Sequence, residues 1–253
     1  MLELTGISLT VQSTKQYQWW PPIDPTDSFA GKNIIITGAN TGIGFEAAVK
    51  FTALGASKVI LGVRTVSKGE AAKTAIEQRT GKKGVVEVWP LDMDSYDSIK
   101  AFAEKASQLP HLDIALLNAG LISVKYQASK YGWEETLQVN TISTALLGLL
   151  LLPKMKASKI ETFTPVLEIV SSGNHMRVAF TEKEMAAKSI LESLNNPKTY
   201  AVSRQYSISK LLVMYVLQSL ANMALGEDGE ADVIVTSVCV SKKLHDFGTS
   251  LVN

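Results

Sequence analysis

Asn33-Ile34-Ile35-Ile36-Thr37-Gly38-Ala39-Asn40-Thr41-Gly42-Ile43-Gly44-Phe45-Glu46-Ala47-Ala48 passes from a β-branched run, through a loop of glycines, into helix-forming residues. The isoleucines predict a strand over 33–37, and the spacing beyond the loop predicts a helix over 43–54. A chain that turns this sharply from strand to helix needs glycine. Bare backbone there also lets an anion reach the N–H groups at the helix start. Taken alone such a loop equally serves a tight turn, but the strand before it and the helix after it point to the pyrophosphate of a dinucleotide.

Outward from this unit the same alternation repeats. Strands are predicted over 58–63, 85–90, 112–117, 165–170 and 232–238, and helices over 67–79, 95–108, 133–155 and 206–225. The strands are continuously apolar, which implies burial on both sheet faces. The expected fold is α/β: a doubly wound, Rossmann-type parallel sheet with helices on both faces. Residues 1–30, with Trp19-Trp20-Pro21-Pro22, show no sustained period and are expected to form an irregular leader. The paired tryptophans either anchor that leader to the domain or contact a membrane or partner. Residues 31–253 are expected to form one dinucleotide-binding and catalytic domain.

Composition narrows the partners. Lys and Arg number 25 against 24 Asp and Glu, so no long-range field favours nucleic acid. Cys239 is the single cysteine, and no Cys/His cluster has metal-ligand spacing, so neither a disulfide nor a metal is expected. The start of the chain lacks the pattern of a secretory signal. The apolar run 144–152 is shorter than the roughly 18 residues that a membrane span needs, so no transmembrane segment is expected. The expected location is cytoplasmic.

The spacing Thr37-Gly38-x-x-x-Gly42-x-Gly44 resembles the short-chain dehydrogenase/reductase family. The resemblance implies a nicotinamide cofactor held by Gly38, Asn40, Thr41, Gly42, Ile43 and Gly44. Where a carboxylate would bind the ribose hydroxyl of NAD(H), the second strand ends in Arg64, whose guanidinium suits a 2′-phosphate. NADP(H) is therefore the expected cofactor. Asp92, followed by Met93, matches the family's aspartate near the adenine, and Asn118-Ala119-Gly120 matches the motif that lines the cofactor and steadies the sheet.

Reduction of a carbonyl leaves an oxygen that must be protonated. Tyr206 and Lys210 stand four apart in a predicted helix, hence on one face, where the lysine can stabilise a phenolate. Their order resembles the family's Tyr-x-x-x-Lys, which makes Tyr206 the candidate acid/base and places both residues beside the cofactor. Ser172 is the candidate hydroxyl donor, with Ser171 in reserve, and either could simply cap the strand. Asn140 matches the family's helix asparagine, whose side chain helps hold a water in a relay to the lysine. His175 near Ser172 invites a hydrolase reading, but no Gly-x-Ser-x-Gly elbow exists.

The segment 173–205 is longer than in compact family members and carries Met176, Val178, Phe180, Met185, Ile190 and Leu191. It is similar to retinol-dehydrogenase-like members and to fungal reductases of secondary metabolism, and is expected to shape an apolar pocket. A hydrophobic ketone or aldehyde, or the corresponding alcohol, is the implied substrate. The helices near 133–155 and 206–225 correspond to those that pair copies in the family, so a homo-oligomer is one expectation and simple burial the other. After Val238 the family's Pro-Gly turn, substrate lid and last strand do not follow. One hypothesis is a retained intron, because Val240-Ser241-Lys242 can be encoded as GTAAGTAAG, a splice-donor-like string; a transcript with one uninterrupted exon through Asn253 would refute it. The alternative function is a catalytically impaired, cofactor-binding or partner-binding remnant.

Overall fold

The computed structural model describes residues 25–239. Trp19, Trp20 and the stretch from Val240 to Asn253 lie outside the described residues. The elements run β1 (Asn33–Thr37), α1 (Gly42–Ala53), β2 (Lys58–Val63), α2 (Val66–Thr80), β3 (Val86–Pro90), α3 (Tyr96–Ser107) and β4 (Ile114–Leu117). Next, α4 (Glu135–Leu137) continues through a π-helical stretch, Gln138–Ser143, into α5 (Thr144–Lys156). Then come β5 (Val166–Ser171), a 3₁₀ turn (Gly173–Arg177), α6 (Glu182–Met185), α7 (Ile190–Leu194), α8 (Val202–Met223) and β6 (Ile234–Cys239).

The six strands order β3-β2-β1-β4-β5-β6, and every pair is parallel. The chain winds outward from β1 to β3, returns beside β1, and winds the other way. The reversal between β1 and β4 opens a crevice at the carboxyl ends of the strands, where ligands of such sheets bind.

The isoleucine run shows why both faces are covered. Ile34, Ile35 and Ile36 are each fully buried. Ile35 packs with Phe102, Leu147 and Leu151 on one side, whereas Ile34 and Ile36 pack with Ala48 and Val49 of α1 on the other. Burying each such side chain stabilises the fold by about 1.5–3 kcal/mol. The stretch Glu135–Lys156 is apolar enough by composition to cross a membrane, yet 67% of its most apolar window is buried within the fold. At the start of the described chain, Phe29 meets Phe51 edge to face at 4.8 Å, and its N–H donates to Leu54 O.

Several boundaries differ from the sequence expectation. β4 starts two residues late because Leu112 N–H donates to Ser158 Oγ at 2.9 Å. α8 begins at Val202, so Tyr206 sits in its second turn; Ala201 offers no side-chain cap to announce the start. The segment 173–205 holds two short helices, each with a cap the sequence displays. Thr181 and Glu184 form a reciprocal capping box, and Ser189 accepts from Glu192 N–H.

In that segment Val178, Phe180, Ile190 and Leu191 cluster with Ile142, Leu211 and Leu212 around buried Leu137, Leu194 and Ile208. Farther along the same helices, Leu149 and Tyr215 remain 41% and 53% exposed.

Candidate active site

The glycine loop is shaped by steric need. Gly42 has φ +60° and opens α1, a conformation that side chains resist. At Gly44 a Cβ would lie 2.5 Å from Asn118 Nδ2 and 2.9 Å from Gly38 O, so only a bare backbone fits. Thr41 does not cap α1 with its side chain, which leaves the first-turn N–H groups facing the crevice.

A cavity of about 430 Å³ opens here. Gly38, Asn40, Thr41, Ile43, Arg64, Asp92, Met93, Asn118, Ala119 and Gly120 line it, whereas Tyr206 and Lys210 do not. Gly42 and Gly44 shape the loop from outside that lining. Asn118 Nδ2 donates to Thr37 O at 2.9 Å, while Thr37 Oγ1 accepts from the N–H groups of Asn118 and Ala119, locking β1 to the end of β4. Asp92 accepts from Asp94 N–H at 3.0 Å, which holds its carboxylate at the cavity. Burial, with Asp92 nearby, pushes the Asp94 carboxyl above the usual carboxylate range.

Sequence reasoning missed Lys68, Thr65, Leu121 and Glu135, which also line the cavity. Lys68 was findable: it stands in the first turn of the helix that follows Arg64, and both residues line the cavity. This cavity suits a dinucleotide, with uncapped N–H groups at the loop and glycines where phosphates must meet backbone.

Lys210 is 6% exposed, and its ammonium donates to Val170 O at 2.8 Å. Burial pulls its pKa down to about 8, against a small opposing effect from Cys239. Its Nζ lies 5.8 Å from the centre of the Tyr206 ring, so the predicted pair does share one face. A Cβ on Gly120 would lie 3.7 Å from Lys210 Nζ, which puts the ammonium against the cavity lining.

Ser172 follows β5 and caps the 3₁₀ turn, accepting from Asn174 N–H at 3.3 Å. Ser171 faces α8 instead, with its hydroxyl 3.6 Å from Met214 Sδ. His175 Nδ1 lies 2.6 Å from the Ser172 carbonyl oxygen rather than its hydroxyl, so no Ser-His pair forms. Asn140 sits in the π-helical stretch, and its side chain is committed to protein. It accepts from Leu121 N–H at 2.8 Å and donates to Leu121 O and Ser209 Oγ. π-Helical turns recur at functional sites.

The family model described as short chain dehydrogenase matches residues 32–196, ending short of Tyr206. The short-chain dehydrogenase/reductase ffsI of Aspergillus flavipes is 44% identical over 251 residues, covering 96% of this chain and 74% of that protein. The short-chain dehydrogenase/reductase phmF of Phaeosphaeria nodorum is 46% identical over 238 residues, covering 91% of this chain and 69% of that protein. Among solved structures, an uncharacterised protein from Mycobacterium paratuberculosis matches with a TM-score of 0.68 at 27% identity, over 88% of this chain and 75% of that one. A short chain dehydrogenase from Shigella flexneri complexed with NADP matches in fold, with a TM-score of 0.62 at 24% identity, over 85% and 79% of the two chains. Sheet order, glycine loop and these relatives agree: the chain belongs to the short-chain dehydrogenase/reductase family of oxidoreductases.

Proposed function

We propose that the protein is an NADP(H)-dependent reductase of a ketone or aldehyde on a hydrophobic small molecule, working in the cytoplasm in fungal secondary metabolism. The observation that carries this reading is Lys210: a buried ammonium with a pKa near 8, beside a tyrosine ring and against the dinucleotide cavity.

Arg64 and Lys68 would hold the 2′-phosphate, Asp92 and Met93 the adenine end, and the Gly38–Gly44 loop the pyrophosphate. When bound, NADPH supplies the hydride. Tyr206 Oη delivers the proton to the substrate oxygen, and the Lys210 ammonium stabilises the phenolate left behind. The Ser172 hydroxyl donates a hydrogen bond to the same oxygen and polarises the carbonyl. Asn140 keeps the loop after β4 at the cavity. The exposed faces of α5 and α8 are our candidate surface for pairing copies.

The NADP-complexed relative supports the cofactor assignment by fold alone. The fungal relatives support a role in small-molecule metabolism. The test is turnover of NADPH against NADH with a panel of hydrophobic ketones and aldehydes. Carbonyl-dependent oxidation of NADPH in preference to NADH is expected; NADPH binding with no oxidation by any carbonyl would contradict the reading.

A further inference from the structure

The helix that carries Tyr206 begins without the usual means of fixing its start. Ala201 gives α8 no side-chain cap, and its first turn holds no acidic residue. Its position must come from elsewhere. Gln205, 5% exposed, donates from Nε2 to Glu134 Oε2 at 2.9 Å. Glu134 is fully buried, and its two carboxylate oxygens also accept from Thr136 N–H and Leu137 N–H at the start of α4. A carboxylate at a helix N-terminus is well placed electrostatically, which makes a buried charge tolerable there.

The same helical run grips α8 again one turn on. Asn140 Nδ2 donates to Ser209 Oγ at 3.1 Å, and Ser209 Oγ donates to Tyr206 O at 2.7 Å. Gln205 and Ser209 thus bracket Tyr206 from the side of α4 and the π-helical stretch. That stretch also holds Leu121 at the cavity through Asn140. Glu134 N–H in turn donates to Asn195 Oδ1 at 2.8 Å, so the segment before α8 is tied to the same point.

We propose that Glu134 and Gln205 are positioning residues that set Tyr206 relative to the cavity through a buried carboxylate–amide brace. The proposal rests on the reductase reading, in which Tyr206 is the proton donor. Neither residue lines the dinucleotide cavity; both act through the register of α8. Misplacing a reacting group by about 1 Å lowers a rate by up to about a hundredfold while leaving binding of the remainder intact.

The experiment compares wild type with Gln205→Leu, and with Glu134→Gln, which preserves volume should the leucine variant fail to fold. Steady-state kinetics and amide hydrogen exchange over residues 203–210 are measured on each. The brace predicts a kcat lowered about 10- to 100-fold, a KM for NADPH within twofold of wild type, and faster exchange confined to that stretch. A variant that loses melting temperature but keeps kcat within twofold would overturn it, since the bond would then be structural only. If wild type turns over no carbonyl at all, the reductase reading falls separately. Exchange alone then decides the brace: acceleration confined to 203–210 supports it and none overturns it.

Discussion

Replacing Lys210 with methionine should abolish reduction while making the protein more stable. The ammonium is 6% exposed and its pKa is held near 8 against an ordinary 10.5. Burial is the cause, so the folded state disfavours the charged form. The unfolded chain binds that proton more tightly, and at pH 7 the difference opposes folding by about 3 kcal/mol. Methionine removes this penalty but strands Val170 O, which accepts from Nζ at 2.8 Å; that loss returns about 1 kcal/mol. The net gain is about 2 kcal/mol, or about 4–8 °C in melting temperature for a domain this size. The size of this penalty depends on pH. The penalty is complete below pH 8, fades as pH climbs from about 8 to 10.5, and is gone above that. Calorimetry at pH 7 and again at pH 10 should therefore show Lys210→Met melting higher than wild type at the first and converging on it at the second. A variant that melts lower at pH 7, or whose advantage does not narrow by pH 10, would refute the argument.

Other outcomes follow from the same geometry. kcat should fall as pH rises above about 8, because the ammonium beside Tyr206 is lost there; a profile flat to pH 10 would contradict this. Arg64→Ala should weaken NADPH binding about 10- to 100-fold and leave NADH within about threefold in fluorescence titration, since one charged hydrogen-bonding partner of the 2′-phosphate is gone. Equal losses for both would show that Arg64 does not read the phosphate. Gly44→Ala forces a Cβ to 2.5 Å from Asn118 Nδ2 and should destabilise the fold by about 1–3 kcal/mol in denaturant titration, with cofactor binding lost. A variant as stable as wild type would mean the loop can relax away.

The sheet was legible because residues such as Ile34, Ile35 and Ile36 leave no polar face to turn outward, a pattern that only a doubly covered parallel strand satisfies. The cavity lining was legible because its residues cluster at strand ends in chain order. What stayed hidden was tertiary. Gln205 and Glu134 are ordinary polar residues until packing buries both, and nothing local marks a glutamine as a brace. The π-helical stretch interrupts what the sequence reads as one smooth helix over 133–155, and no residue there marks the break. Apolarity in the segment 173–205 predicts burial, and Val178, Phe180, Ile190 and Leu191 do cluster with Leu211 and Leu212 of α8. Hydrophobic residues announce burial, not the partner they are buried against.

The central claim is that Tyr206 delivers the proton in an NADPH-dependent carbonyl reduction, and Tyr206→Phe tests it most directly. Removing the hydroxyl while keeping the ring should lower kcat at least about a hundredfold and leave NADPH affinity within about twofold. Carbonyl-dependent NADPH oxidation that survives in Tyr206→Phe at a comparable rate would contradict the account.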